Sequence, residues 1–222
     1  NDKKPLEPDK NLGHAANFLY MLTGKKPDAL TARDFDICLV LHAEHSFNAS
    51  TFAAREVAST RAHMYAAVSA AVGSLSGELH GGANSRVMGM LIAIGSIDAI
   101  ENYVNQALDS GGLIMGLGHA VYKNGDPRAL ILAPMSKQLG ERIHNTKWYE
   151  MSTVLEEKAK AAFKERKKID IYPNVDFYSG IVLRAIGIAT NMFTVMFAIG
   201  RLPGWIAQWK ESMDDPTWKL CR

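Results

Sequence analysis

Four short clusters in the sequence place residues capable of acid–base chemistry beside residues that permit tight turns. The clusters are residues 41–51 (LHAEHSFNAST), 79–84 (LHGGAN), 116–128 (GLGHAVYKNGDPR) and 172–180 (YPNVDFYSG). Each combines a histidine or an aspartate with glycine, proline or asparagine, which suits side chains that are aimed from a helix end or a turn. Histidine and aspartate can donate or accept protons during a reaction, so these clusters are candidates for parts of a catalytic site.

Three residues of these clusters are the strongest candidates for catalysis: His80, His119 and Asp176. His80 precedes a predicted helix, and a helix N-terminus would keep its imidazole neutral and able to donate a hydrogen bond to a carbonyl. Asp176 lies in an apolar stretch, where an acid is either paired structurally or poised as a base. Taken singly, each also has a structural interpretation: capping or core packing for the histidines, and an ion pair for the aspartate.

Two other chemistries have less support. His42 and His45 are three residues apart, a spacing that can place two metal ligands on one helical face. However, the sequence contains neither a His-Glu-x-x-His pattern nor a third ligand at a recognisable spacing, so we predict no metal site. A serine nucleophile is not favoured because no Gly-x-Ser-x-Gly turn occurs. Asp126, directly before Pro127, is predicted to be a turn or cap residue.

The composition restricts the class of protein. The chain has 222 residues, of which 47% are hydrophobic and 22% charged, as in globular proteins. The formal net charge of +2 is small and the 25 basic residues are dispersed along the chain, which argues against a nucleic-acid or membrane-surface protein. Cys38 and Cys221 imply no disulfide framework and agree with a reducing compartment; Cys38 is predicted to be buried. No apolar run reaches the ~18–20 residues that span a bilayer. The N-terminus shows no secretory signal pattern and no initiating Met, so we expect a piece of a longer protein.

Helices must position the clusters, because most of the sequence predicts helix. The predicted helices are 15–22, one that Thr31 caps, Ser50–Leu75, 86–94, 97–108 with Ser96 as its cap, 128–168 with a break near 144–146, and 181–199. Two stretches are predicted not to be helical: 111–127, which contains five glycines, and 169–180, where Asp170, Pro173, Asn174 and Asp176 interrupt an apolar background. The chain has no strand–glycine-loop–helix unit, which argues against a nucleotide-binding α/β fold.

Taken together, the clusters resemble the citrate synthase family in order and spacing. The resemblance rests on the strings His-Gly-Gly-Ala-Asn, Gly-His-x-Val-Tyr-Lys-x-x-Asp-Pro-Arg and Pro-Asn-Val-Asp-Phe-Tyr-Ser-Gly, and it extends from Ala15 to Arg222. Complete members are longer, mainly at the N-terminus. The resemblance implies an all-α, two-domain fold whose N-terminal part is missing here. Residues 1–84 and 189–222 would belong to the large domain, and 85–188 would form a smaller domain that closes over substrate.

The resemblance also implies a reaction and roles for individual residues. The family condenses acetyl-CoA with oxaloacetate and hydrolyses citryl-CoA to citrate and CoA, with no cofactor and no metal. By similarity, Asp176 would be the base, His80 would donate to the thioester carbonyl, and His119 would polarise the oxaloacetate carbonyl. The matching oxaloacetate-binding positions are His45, Arg128, Arg201 and Arg222, and Lys123 matches a position near the CoA phosphates. Family members are dimers in which the arginine matching Arg222 enters the partner's site, so we expect a homodimer or a higher oligomer.

Alternatives stay open. A 2-methylcitrate synthase performs the same chemistry on propionyl-CoA, and one methylene in an apolar pocket changes discrimination by only ~1–3 kcal/mol, so no residue decides between the two. A helical dimerisation fragment without catalysis is an alternative of another class, against which the retained histidines and arginines argue. We expect a cytoplasmic location of the bacterial type, with the mitochondrial matrix as the alternative, and neither a nucleic-acid nor a membrane partner.

Overall fold

The computed structural model describes residues 6–77 and 80–221 as a set of packed helices. The helices are α1 (His14–Thr23), α2 (Ala29–His42), α3 (Ala49–Ser59), α4 (Met64–Leu75), α5 (Ala83–Ile94), α6 (Ile100–Asp109), α7 (Pro127–Arg142), α8 (Lys147–Lys167), α9 (Val175–Ala185) and α10 (Phe193–Asp214), with a 3-10 turn at Thr190–Met192. No strand occurs in these ranges, and Leu117 and Pro173 form an isolated antiparallel bridge. The prediction of an all-α fold is confirmed. None of the described helices is both long and apolar enough to cross a membrane.

Buried apolar side chains form two clusters. The larger one joins α1, α2 and α5–α9 to the start of α10, and it contains Cys38 and Val175. Cys38 is 2% exposed, which confirms the predicted buried thiol, and this burial raises its pKa to about 12. The smaller cluster packs the alanines of α3 and α4 against Phe197 and Trp205 of α10. Val175 and Phe197 both line one cavity, which therefore lies where the two clusters meet.

The prediction of one helix over Ser50–Leu75 is wrong. Helix α3 ends at Ser59 and α4 begins at Met64, and Arg61 in the turn between them has a φ of 64°. The alanine-rich faces of α3 and α4 pack against each other and against α10. One continuous helix could not bury those two faces together, so tertiary packing decides against high helix propensity.

The structure also corrects the boundaries around 169–180. The stretch 111–127 is non-helical up to residue 126, as predicted, but α9 begins at Val175, inside the second predicted loop. The side chain of Asn174 caps it by accepting a hydrogen bond from the backbone N–H of Asp176 at 3.0 Å. Asparagine is as typical of a helix N-cap as of a loop, which explains the error. The predicted continuous helix 181–199 is wrong as well, because the chain turns at Gly187, with a φ of 94°.

Two predicted caps are wrong and one predicted break is confirmed. Asp28, not Thr31, caps α2 by accepting hydrogen bonds from the backbone N–H groups of Leu30 and Thr31. Ser96 does not cap α6, which begins at Ile100. The break near 144–146 is confirmed, since α7 ends at Arg142 and α8 begins at Lys147.

Candidate active site

A cavity of about 130 Å³ at the junction of the two apolar clusters collects residues from all four sequence clusters. Its lining residues are His45, Asn48, His80, His119, Arg128, Val175, Asp176, Phe197 and Arg201. The three candidate catalytic residues therefore meet in one place, together with three of the four arginine and histidine positions implied for oxaloacetate.

The remaining predicted residues lie elsewhere. Lys123 is exposed on the loop that carries His119, and its charge contributes to lowering the pKa of that histidine. Arg222 lies outside the described residues. His42 is buried in α2 rather than in the cavity. Among residues 6–77 and 80–221, no three His, Cys, Asp or Glu side chains are grouped so that they could hold a metal ion.

A larger cavity of about 420 Å³ lies between α7, α8 and the C-terminal end of α9. Its lining contains Lys147 and Arg184 but no histidine, aspartate or glutamate. It is larger than the cavity of the four sequence clusters, and a third cavity, between the chain after α5 and the start of α8, is larger still at about 750 Å³. The smaller cavity is the better candidate for catalysis because it holds converging proton donors and acceptors.

His80 lies in the turn before α5, two residues ahead of the N-cap Gly82, so its predicted place near a helix N-terminus is confirmed. Its Nε2 accepts a hydrogen bond from the backbone N–H of Ser50 at 3.3 Å. Because a backbone N–H can only donate, Nε2 must be the acceptor. The hydrogen bond therefore assigns the proton of the neutral ring to Nδ1. Burial, with the charge of Arg201 as a second cause, lowers the pKa of His80. The residue is therefore a neutral hydrogen-bond donor at Nδ1.

Ser50 ties His80 to two helices, and the sequence did not single it out. Its Oγ lies 2.8 Å from His80 Nε2 and 2.8 Å from Asn48 Oδ1, so its rotatable proton can go to either acceptor. The same oxygen accepts a hydrogen bond from Trp205 Nε1 of α10 at 3.2 Å. Asn48 in turn caps α3. The Asn-x-Ser pattern in the first cluster was the available signal, because both residue types are frequent at helix starts.

His119 is fixed in the opposite tautomer. Its Nδ1 accepts hydrogen bonds from the backbone N–H groups of Val121 at 3.0 Å and Tyr122 at 3.2 Å. The proton of the neutral ring is therefore on Nε2. Burial lowers the pKa of His119, and the positive charge of Arg128 acts in the same direction.

A glycine allows the loop of His119 to lie directly on α9. Gly116 has a φ of 80°, and a Cβ atom there would lie 2.9 Å from Cα of Phe177. Asn174 strengthens the contact, since its backbone N–H donates to the Gly116 carbonyl at 2.9 Å and its Nδ2 to the Gly118 carbonyl at 2.9 Å. The same asparagine that caps α9 thus holds the histidine loop.

Tyr122 organises the aromatic contacts of the cavity, and it too was not predicted. Its ring centroid lies 5.3 Å from that of His45 and 4.7 Å from that of His119. The two histidine rings are 5.0 Å apart, and the Arg128 guanidinium lies 5.8 Å from the tyrosine centroid. Burial, followed by the charge of Arg128, lowers the pKa of His45.

Asp176 occupies the first turn of α9. Its Oδ1 is buried and has no hydrogen-bond partner in the described part of the chain. Burial raises the pKa of the carboxyl to about 6, against the opposing charges of Arg128 and Arg201. An unpartnered carboxylate that titrates near neutral pH is suited to act as a general base.

Arg201 is a buried cation on α10. Its Nε donates to the His42 carbonyl at 2.5 Å and its Cζ lies 4.9 Å from the Phe197 centroid. Its Nη1 is buried without a partner, and no carboxylate of residues 6–77 or 80–221 forms an ion pair with it. Burial lowers its pKa to about 10. An unpaired buried cation is costly, so the site is suited to receive an anion.

Arg128 is also buried but has its own counter-ion. Its Nε and Nη2 donate to the two carboxylate oxygens of Asp126 at 2.9 and 2.7 Å. Asp126 also caps α7 by accepting from the Arg128 backbone N–H, so its predicted cap role is confirmed. The ion pair was not predicted. The cavity thus contains one base, two neutral donors and two guanidinium groups, a set that can deprotonate a carbon acid and stabilise negative charge on oxygen.

Comparisons with known proteins agree on one family. A protein-family model described as "Citrate synthase, C-terminal domain" matches residues 1–222 of this chain. Citrate synthase of Synechocystis is 49% identical over 94% of this chain and 52% of its own length. Citrate synthase 2 of Bacillus subtilis is 44% identical over 96% of this chain and 55% of its own. The chain therefore spans about half the length of these curated relatives.

Solved structures match as well. Citrate synthase from Pyrobaculum aerophilum superposes with a TM-score of 0.90 at 39% identity, over 99% of this chain and 54% of its own. The Thermoplasma acidophilum enzyme, solved as a ternary complex with carboxymethyl coenzyme A and oxaloacetate, gives 0.88 at 33% identity over 97% of this chain and 56% of its own. With a family model that matches its whole length, the chain belongs to the citrate synthase family.

Proposed function

We propose that the protein containing this chain condenses acetyl-CoA with oxaloacetate and hydrolyses the resulting citryl-CoA to citrate and CoA. One observation carries the proposal: the Asp176 carboxylate, whose Oδ1 is buried and unpartnered, shares its cavity with two histidines held as neutral donors and with a buried arginine that forms no ion pair with a described carboxylate. The names of the relatives, and the two ligands named for the Thermoplasma acidophilum structure, agree with this proposed activity.

The first step is removal of a proton from the thioester methyl group, which is a weak carbon acid. Asp176 accepts the proton, and its pKa of about 6 makes it a stronger base than an ordinary aspartate. His80 donates a hydrogen bond from Nδ1 to the thioester oxygen, where negative charge develops. The proton on Nδ1 suits this role because Ser50 occupies Nε2 from the other side.

The second step is attack of the enolate carbon on the oxaloacetate carbonyl. His119 donates from Nε2 to that carbonyl oxygen, polarises it and supplies the proton that neutralises the alkoxide as the carbon–carbon bond forms. Hydrolysis of the citryl thioester then releases CoA. All these roles fall to side chains, so the proposal requires no metal and no cofactor.

Oxaloacetate carries two carboxylates, which planar guanidinium groups bind well. Arg201 offers an unpartnered Nη1, and Arg128 keeps Nη1 beyond its ion pair with Asp126. His45 stands beside His119 as a further contact. Arg222 completes the set in the partner subunit of a homodimer, by the family resemblance.

The same resemblance extends the proposal to the whole protein. Residues 1–84 and 189–222 would belong to a large domain and 85–188 to a small one, whose closure excludes water until condensation is complete. Lys123, exposed beside His119, suits a CoA phosphate. We place the protein in the cytoplasm, with the mitochondrial matrix as the alternative.

Thiol release by the full-length protein, with oxaloacetate and either acetyl-CoA or propionyl-CoA, tests the proposal. We expect faster release from acetyl-CoA. A preference for propionyl-CoA would assign the protein as a 2-methylcitrate synthase instead. No release from either thioester, by protein that is folded and dimeric, would overturn the proposed activity and favour a dimerisation module.

A further inference from the structure

We propose that Asp126 is the positioning residue of this site: one buried carboxylate holds Arg128 and the first turn of α9, and so sets the separation between the substrate-binding arginine and the base Asp176. The proposal rests on the proposed function, which assigns the roles of Arg128 and Asp176.

The carboxylate of Asp126 is fully occupied by these two elements. Oδ1 accepts from the backbone N–H of Arg128 at 3.0 Å and from its Nε at 2.9 Å. Oδ2 accepts from Arg128 Nη2 at 2.7 Å and from the backbone N–H of Val175 at 3.0 Å. The side chain is 0% exposed. A carboxylate offers about four acceptor positions, so none is left for water or substrate.

The contact with Val175 makes Asp126 a shared cap for two helices. Val175 is the first residue of α9, and the first N–H groups of a helix have no partner within it. Asn174 satisfies the N–H of Asp176, and Asp126 satisfies the N–H just before it. A negative charge is favourable at a helix N-terminus, and here one charge serves the starts of both α7 and α9. Displacement of Asp126 would therefore shift Arg128 and Asp176 relative to each other.

Asp126 also balances the charge that Asp176 experiences. The groups that act on Asp176 are Arg128 and Arg201, which lower its pKa, and Asp126, which raises it. Without Asp126, Arg128 would be an uncompensated cation beside the base. The pKa of Asp176 would then fall, and the carboxylate would become a weaker base.

Asp126→Asn in the full-length enzyme tests the proposal. The amide keeps the size but removes the charge, and its NH₂ group replaces one of the two oxygens that accept hydrogen bonds. We expect kcat to fall about 100-fold, since small misplacement of a catalytic group is costly. The KM for oxaloacetate should rise about tenfold, and the acid limb of the kcat–pH profile should move down by about one pH unit.

Two further variants separate positioning from folding. Asp34→Asn breaks another ion pair, Asp34–Arg142, in which Asp34 is 13% exposed. That pair lies at the other end of α7, about 24 Å away along the helix, so the acid limb and KM should not move. Asp126→Glu keeps the charge but lengthens the side chain, and it should restore the acid limb while the KM stays raised.

The outcomes distinguish the two proposals. Wild-type turnover combined with an unmoved acid limb and an unchanged KM in Asp126→Asn overturns the positioning role alone. If Asp126→Asn does not fold, an unchanged KM in Asp126→Glu overturns it. A wild-type enzyme without thiol release overturns the proposed function, and the positioning role with it.

Discussion

The two sides of the cavity hold their arginines in different ways. The α7–α9 wall comprises the starts of α7 and α9 with the loop of His119, and the α3–α10 wall comprises α3, α10 and the turn of His80. The α7–α9 wall carries His119, Arg128 and Asp176, and its arginine is neutralised by Asp126 within the same wall. The α3–α10 wall carries His80 and Arg201, and no described carboxylate pairs with its arginine. A cation with a built-in counter-ion is held in position before any ligand arrives. A buried cation without one leaves its interaction energy for a ligand.

The difference matters because unpaired buried groups are costly. An unsatisfied buried polar group costs about 1–3 kcal/mol, and more when it is charged. The cavity presents two such atoms, Oδ1 of Asp176 and Nη1 of Arg201. Under the proposed function, a substrate carboxylate would relieve the cost at Arg201, whereas Asp176 must stay free to accept a proton.

The largest effect is expected on the α7–α9 wall. Asp176→Ala in the full-length enzyme should reduce thiol release about 1000-fold, because it removes the base and leaves the donors in place. The affinity for oxaloacetate, measured by calorimetry, should change little because the arginines remain. Turnover close to that of the wild type would defeat the base assignment.

The two arginines provide the direct test of the comparison between the walls. Both Arg201→Leu and Arg128→Leu should raise the KM for oxaloacetate about 100-fold, through loss of a charged hydrogen-bond donor. Their stabilities should differ. Arg128→Leu leaves the Asp126 carboxylate buried without its counter-ion and should cost about 3–5 kcal/mol. Arg201→Leu removes an unpaired charge but leaves the buried His42 carbonyl without its donor, and should cost about 1–3 kcal/mol. Urea unfolding measures both, and equal losses would mean that the walls do not differ as described.

A smaller effect is expected where the α3–α10 wall orients its histidine. Ser50→Ala should lower kcat about tenfold, because His80 loses a contact at Nε2 worth about 1–1.5 kcal/mol. Ser152→Ala is the matched control. That serine is equally buried, donates to the Trp148 carbonyl at 2.7 Å and does not line the cavity. A similar loss of kcat in both variants would show that Ser50 supports folding rather than the orientation of His80.

The last expected effect is on stability rather than on turnover, and it arises behind the α3–α10 wall. Burial lowers the pKa of His42 to about 4, from 6.5 for a free histidine. The unfolded chain therefore binds a proton below pH 6.5 that the folded chain refuses until about pH 4. The stabilising contribution is complete above that range and falls by about 1.4 kcal/mol per pH unit as the pH drops through it. Urea unfolding at several pH values measures this slope.

His42→Asn is the control for that slope. Asparagine does not titrate and can still donate to the Cys38 carbonyl, which His42 Nδ1 contacts at 2.6 Å. The variant should unfold with a weaker dependence on pH between 6.5 and 4. An unchanged dependence would assign the acid sensitivity to other groups.

The sequence motifs predicted which residues meet in the cavity better than the groups that support them. Taken singly, His80, His119 and Asp176 each had a structural interpretation, and they were singled out by the resemblance of their motifs, in order and spacing, to the citrate synthase family. Phe197 was not, because it lies in an apolar run that looks like any core helix. The ion pair of Asp126 with Arg128 was not visible either, because the local sequence of a capping aspartate is the same whether or not its carboxylate also pairs with a nearby arginine.

Helix boundaries failed for a related reason. Alanine-rich sequence between residues 50 and 75 favours helix at every position, so nothing local indicated the turn at Arg61. The turn is stabilised by packing of α3 and α4 against α10, which is a tertiary effect. Asn174 was interpreted as a loop residue because a cap and a loop share the same local preference.

Gly204 has a consequence for redesign of the cavity. A Cβ atom at this position would lie 2.0 Å from the carbonyl oxygen of Ala43, so the backbones of α10 and of the chain after α2 touch with no side chain between them. Spacing set by two backbones cannot be widened by exchanging side chains at the junction. More room in the cavity must therefore come from trimming Phe197 or Val175, which line it with side chains that can be shortened.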